Sequence, residues 1–194
     1  MNIGENKMNR YYLKGFAIYT LLIFTNLNAM EEQEKEEKAV GAPSATAMQN
    51  LFEYVRRGDI SGVKRLMLGN FPLTLKDWLG QSLIHHAIIS QQYNMLKFLL
   101  EIDKLNPNDP DHFGTTPLHL AVQLELPEMV EMLINSGKVD KTLKDSIGFT
   151  AKEYAEQLVK TKPIAHSFFG EGQKRSEESR IILGRKRILE LLSK

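Results

Sequence analysis

One interval, 34 residues, organises most of this chain. Asp77, Asp111 and Asp145 are separated by it, as are Gly80, Gly114 and Gly148, then Ser82, Thr116 and Thr150, and then Ala87, Ala121 and Ala155. A unit of this length cannot bury its apolar face alone and becomes stable only when stacked on copies of itself. The second half of each unit repeats too. Met95-Leu96-Lys97-Phe98-Leu99 aligns with Met129-Val130-Glu131-Met132-Leu133, and both place apolar residues three and four apart on one helical face. A degenerate copy precedes them, with Leu51, Tyr54 and Val55, then Gly58, then Val63, Leu66 and Met67. No motif opens that copy, as expected of an N-terminal capping unit whose outer face meets water.

The opening of each later unit has a chemical logic. Thr116 can cap a helix by accepting from backbone N–H groups, Pro117 sits where a missing N–H costs nothing, and Gly114 supplies the positive φ of the preceding turn. Ser82 and Thr150 can repeat the cap, and the alanines at 87, 121 and 155 let helices approach closely. Thr116-Pro117-Leu118-His119-Leu120-Ala121 matches T-P-L-H-x-A in full, so this region resembles the ankyrin repeat family. The resemblance implies an all-α solenoid of about four helix-pair units with extended connecting loops. It also implies protein binding through the concave face and loop tips. In that family the residues flanking the turn glycine face outward and vary with the partner. The corresponding residues here are Trp78, Leu79 and Gln81, then His112, Phe113 and Thr115, then Ser146, Ile147 and Phe149. Exposed aromatics at such positions carry binding energy out of proportion to their number. A competing reading folds Trp78 or Phe113 back onto the next loop.

The units run about 46–76, 77–110, 111–144 and 145–194, the last split by an insertion at about 160–179. Ile188-Leu189-Glu190-Leu191-Leu192 aligns with Met129–Leu133 at a separation of 59 rather than 34, which places the closing helix after the insertion. Pro163, Gly170 and Gly172, with little apolar periodicity, predict a mobile loop there. Phe168 and Phe169 within it either pack back on the final unit, the favoured reading, or form a second contact for a partner.

Residues 1–29 read as an export signal: Lys7, Arg10 and Lys14, then the uncharged run Gly15 to Phe24, then a small residue at Ala29. That run is too short to span a bilayer as a helix. An uncleaved hydrophobic segment, and with it a membrane-tethered scaffold, is the alternative. Cleavage after Ala29 removes three positive residues and one negative one, turning a net charge of +1 into −1. Residues 30–45, acidic and then small, predict a disordered linker. The expected locations are periplasmic or secreted. A signal plus an ankyrin array in a lysine-, asparagine- and isoleucine-rich chain also fits a bacterium living inside a host, with a host protein as partner, by analogy alone.

Several function classes lose ground on composition. A charge near zero gives no field for nucleic acid, and zero cysteines remove disulfides, thiolate catalysis and cysteine-ligated zinc. His85, His86, His112 and His119 lie close in sequence, but His85 and His119 share one motif position, where the resemblance implies a bracing role, and no acidic or cysteine partner has ligand spacing. Ser82 and His85 could suggest a nucleophile beside a base, yet a cap serine and a motif histidine account for both. The expectation is a monomeric binding protein with no enzymatic activity, no cofactor, no metal and no small-molecule substrate, touching membrane only if the signal is uncleaved. The segment from Gly172 to Lys194 holds seven basic residues (Lys174, Arg175, Arg180, Arg185, Lys186, Arg187 and Lys194) against three acidic ones. This reads as a solvated outer face, with anionic lipid as the sharper alternative.

Overall fold

The computed structural model describes residues 45–69, 71–161 and 171–193, the side chains of 45 and 171–177 excepted. The expected signal at 1–29, nearly all of the linker, and Phe168 and Phe169 lie outside the described residues. Eight helices follow in order among the described residues: α1 (Ala45–Arg57), α2 (Ile60–Leu68), α3 (Leu83–Ile89), α4 (Tyr93–Leu100), α5 (Pro117–Gln123), α6 (Pro127–Asn135), α7 (Ala151–Lys160) and α8 (Glu171–Ser193). There is no strand among the described residues, and a single antiparallel bridge links Lys144 and Thr150. The fold is an all-α ankyrin-type solenoid.

Each of the first three pairs turns through one left-handed residue: Gly58 at φ 71°, Gln91 at φ 52° and Glu125 at φ 57°. The amide after it reaches back to close the preceding helix, Gln92 to the Ala87 carbonyl at 2.8 Å and Leu126 to the Ala121 carbonyl at 3.0 Å. These bonds satisfy carbonyls that a helix end otherwise leaves orphaned. Glycine adopts this conformation freely, whereas glutamine and glutamate there carry a steric cost of about 1–2 kcal/mol, met by the surrounding stack.

The core runs as a seam through the pairs. Leu83, Ile84, Ala87 and Ile88 of α3 pack with Met95, Leu96 and Leu99 of α4, and Leu118, Ala121 and Val122 of α5 pack with Met129, Val130 and Leu133 of α6, all fully buried or nearly so. Burying each of the larger side chains contributes about 1.5–3 kcal/mol. Ala87, Ala121 and Ala155 are buried at the helix crossings, where a larger residue would force the helices apart. Phe52 of α1 continues the seam against His86, with ring centroids 4.7 Å apart.

The last pair departs from the others. α7 runs to Lys160 without a left-handed turn, and its C-cap Thr161 is extended. α8 begins at Glu171 and packs on both α6 and α7. Helix therefore takes in residues 171–179, which the sequence reading assigns to a loop. Glutamine, lysine, arginine and glutamate are good helix formers, and a segment continuing a docked helix needs no apolar stripe of its own. Ile188 and Leu192 are buried against the stack, at the positions that align with Met129 and Leu133.

Candidate functional site

Three tips project from the stack, and all three are built alike around an aspartate. Asp77 Oδ1 accepts from the amides of Leu79 and Gln81 at 2.9 and 2.8 Å; Asp111 Oδ1 accepts from Phe113 and Thr115 at 2.9 and 2.8 Å; Asp145 Oδ1 accepts from Ile147 and Phe149 at 3.1 and 2.9 Å. The backbone closes the same turns, with Gly80, Gly114 and Gly148 donating to the aspartate carbonyls at 2.9, 3.0 and 3.0 Å. One side chain thus organises five residues, the usual use of aspartate in a turn. The second oxygen is also held, at Asp77 by His86 Nε2 at 2.9 Å and at Asp145 by the Tyr154 hydroxyl. Burial works against ionisation of Asp77, but the bonds from His86 and from the Gln81 and Leu79 amides outweigh it and hold the carboxyl below its ordinary range.

Adjacent tips join by single backbone bonds, from His112 to the Leu79 carbonyl at 2.9 Å and from Ser146 to the Phe113 carbonyl at 3.0 Å. The approach is close enough to demand glycine. A Cβ on Gly80 would lie 2.9 Å from the His112 nitrogen, and one on Gly114 would lie 2.7 Å from the Ser146 nitrogen. Gly148 has the same left-handed conformation, but no described atom lies within 4 Å of its Cβ position.

The two motif histidines brace one unit to the next. Ser82 and Thr116 approach His85 and His119 Nδ1 with both amide and hydroxyl, while the Nε2 atoms reach the carbonyls of Thr115 and Phe149 at 3.0 Å. A carbonyl can only accept, so Nε2 carries the proton and Nδ1 accepts; both rings are neutral. Burial pushes both below the ordinary histidine range. In the last unit Glu153 holds the equivalent position. Its Oε2 accepts from the Thr150 amide at 2.7 Å and hydroxyl at 2.8 Å, which keeps its carboxyl below the usual range. These contacts assign His85, His86 and His119, and with them the Ser82–His85 pair, to structure. Among the described residues no group of three or more histidines and carboxylates could hold a metal ion, and no helix is long and apolar enough to cross a membrane.

The nine candidate residues divide by depth. Trp78, Phe113 and Ile147 stand out at the apices, 53%, 58% and 50% exposed, on successive tips. Neither Trp78 nor Phe113 folds back into the core. His112 and Ser146 are exposed beside them, while Leu79 and Thr115 are half-buried. Phe149 is half-buried and leans on Tyr154, with centroids 5.5 Å apart. Gln81 corrects the outward assignment: it is only 4% exposed. The chain has already turned inward toward the α3 cap by the fourth residue after Asp77, so that side chain faces the stack.

Sequence reasoning missed Arg185. The charge pattern puts it in a solvated basic face, yet it is 7% exposed and pairs with Glu125 of the preceding unit through Nε and Nη2, at 2.9 and 2.8 Å. Arg187 is also engaged, with Glu131. The signal was present in outline, because 185, 188 and 192 fall on one helical face.

Comparison with known proteins agrees with this architecture. Residues 51–145 match the family model described as ankyrin repeats (3 copies). Over 117 residues the chain is 33% identical to the mitochondrial liver isoform of glutaminase from Rattus norvegicus, covering 60% of this chain and 19% of that protein. Over 110 residues it is 32% identical to neurogenic locus notch homolog protein 1 from Cricetulus griseus, covering 57% of this chain and 4% of that protein. The chain thus spans less than a fifth of the curated relatives it matches.

Proposed function

We propose that this stack of ankyrin repeats binds another protein, and that its contact is the ridge formed by Trp78, Phe113 and Ile147. Ankyrin repeats are in general protein–protein interaction modules with no catalysis of their own. The observation that carries the reading is that three large apolar residues are held half-exposed on tips that are each braced by an aspartate and bonded to the next. Water makes such exposure costly, and burial against a partner recovers it. Preorganisation helps further, because the aspartate-centred turns leave little loop entropy to lose on binding. The half-buried Phe149 and the buried Gln81 serve the tips from within.

The partner is a protein met in the periplasm or outside the cell, and the chain reaches it by export through the segment at 1–29. That reading rests on the charged start and apolar run of the sequence. N-terminal sequencing of the secreted or periplasmic fraction tests it, with a mature terminus near Met30 expected. An intact N-terminus in the membrane fraction favours the tethered scaffold.

The binding test is a triple substitution, Trp78→Ser, Phe113→Ser and Ile147→Ser, in the full chain. Far-ultraviolet circular dichroism should stay unchanged while affinity capture of the partner seen with the parent chain is lost. Unchanged capture overturns the ridge as the contact, and loss of helicity would show that the tips belong to the core.

A further inference from the structure

Arg185 is a buried guanidinium that the binding ridge does not use. Its Nε and Nη2 grip both oxygens of Glu125, and its Nη1 lies 2.8 Å from each of the Leu158 and Thr161 carbonyls. Both carbonyls lie at the end of α7, where Leu158 also accepts from the Thr161 amide at 3.3 Å and hydroxyl at 3.0 Å. Glu125 is the left-handed residue between α5 and α6. One side chain of α8 therefore ties the end of α7 to the turn of the preceding unit.

Apolar anchoring of α8 is of a different kind. Among its described side chains Ile188 and Leu192 are buried and Ile181, Leu189 and Leu191 half-buried, against the buried Met95, Leu96 and Leu99 in α4 and Met129, Val130 and Leu133 in α6. Toward its N-terminus Ile182 and Leu183 are exposed. α8 thus adds a buried ion pair to its apolar contacts.

We propose that α8 is a releasable cap, which docks and undocks together with the last turn of α7, and that the Arg185–Glu125 pair is its latch. The chemistry favours two states. Partial opening that separates the buried guanidinium from its carboxylate and carbonyl partners without exposing it to water is costly. Full undocking returns all of them to solvent at once. Local opening of a terminal unit, with the remainder folded, is what a body built from nearest-neighbour contacts permits.

Native-state hydrogen exchange of the full chain in rising, sub-denaturing urea tests the cap. Amides of 157–161 and 180–193 should open at lower urea than those of α4 and α6. Arg185→Ala should speed exchange in those two segments tenfold or more while residues 83–135 keep parent rates. Arg185→Lys should not restore protection, because a point charge cannot fork across two carboxylate oxygens and two carbonyls. Three results would overturn the proposal: one common opening for all helices of the parent chain, an Arg185→Ala effect spread evenly over the stack, or rescue by lysine. Should Arg185→Ala fail to fold, the parent chain's own urea dependence decides the matter.

Discussion

Units two and three and the terminal unit open with the same aspartate-centred tip and diverge within a single helix. In the middle units a buried neutral histidine reaches forward to the next tip, the helix ends in a left-handed turn, and three apolar residues seat the second helix. In the last unit a carboxylate replaces the histidine, the helix runs on, and an arginine from α8 closes its end. The difference shows what each device is for. The histidine is useful where a further carbonyl waits, and among the described residues Glu153 faces no further tip. There local capping and a long-range ion pair take the histidine's place.

The largest expected difference concerns packing. Leu133→Ala should cost about 2–5 kcal/mol in urea unfolding followed by circular dichroism, since its site is enclosed on all sides. Leu192→Ala should cost less than half as much. Equal costs would mean that the terminal helix is as integral as the middle ones.

Acid should separate the two regions next. His85 and His119 have folded-state values below their ordinary range, so the unfolded chain binds protons first as pH falls. Their stabilising contribution is complete above the unfolded value of about 6.5 and is lost below it, by at most about 1.4 kcal/mol per pH unit for each. Thermal midpoints should therefore drop between pH 7 and pH 5, and the double variant His85→Gln with His119→Gln should flatten that slope. Glu153, also lowered, keeps its contribution above the ordinary glutamate range and loses it only under stronger acid. A slope unchanged by the histidine variants would sink this account.

The smallest effects bear on the two left-handed turns. Gln91→Gly should stabilise by about 0.5–1 kcal/mol by removing steric strain. Glu125→Gly relieves the same strain yet removes the partner of Arg185, so its net effect should be a loss. Equal signs would show that the ion pair contributes nothing.

Much of this was legible in the sequence because it is local or periodic. The 34-residue interval, the capping residues Ser82, Thr116 and Thr150, and the turn glycines all act within a few positions of themselves. The Arg185–Glu125 pair spans 60 residues and breaks the period, so no spacing rule points to it. Gln91 and Glu125 were unreadable for a related reason: their left-handed backbone is imposed by the stack against residue preference. Gln81 was misplaced because facing in a tip changes within one residue, finer than a motif resolves. The start of α8 at Glu171 was hidden by polar composition, which by itself suits loop and solvated helix equally.

The single bonds between tips have a mechanical consequence. Each tip is joined to the next by one backbone amide and, from behind, by the motif histidine, while the helices are fastened across whole apolar faces. Such a body is held less heavily along the edge of the tips than along its helices, so a change of curvature that spreads or closes the tips together is its easiest deformation. Trp78, Phe113 and Ile147 ride on that more lightly held edge. The spacing of the three is therefore an adjustable gauge, and bending stiffness, as much as side-chain identity, sets which surfaces it can grip.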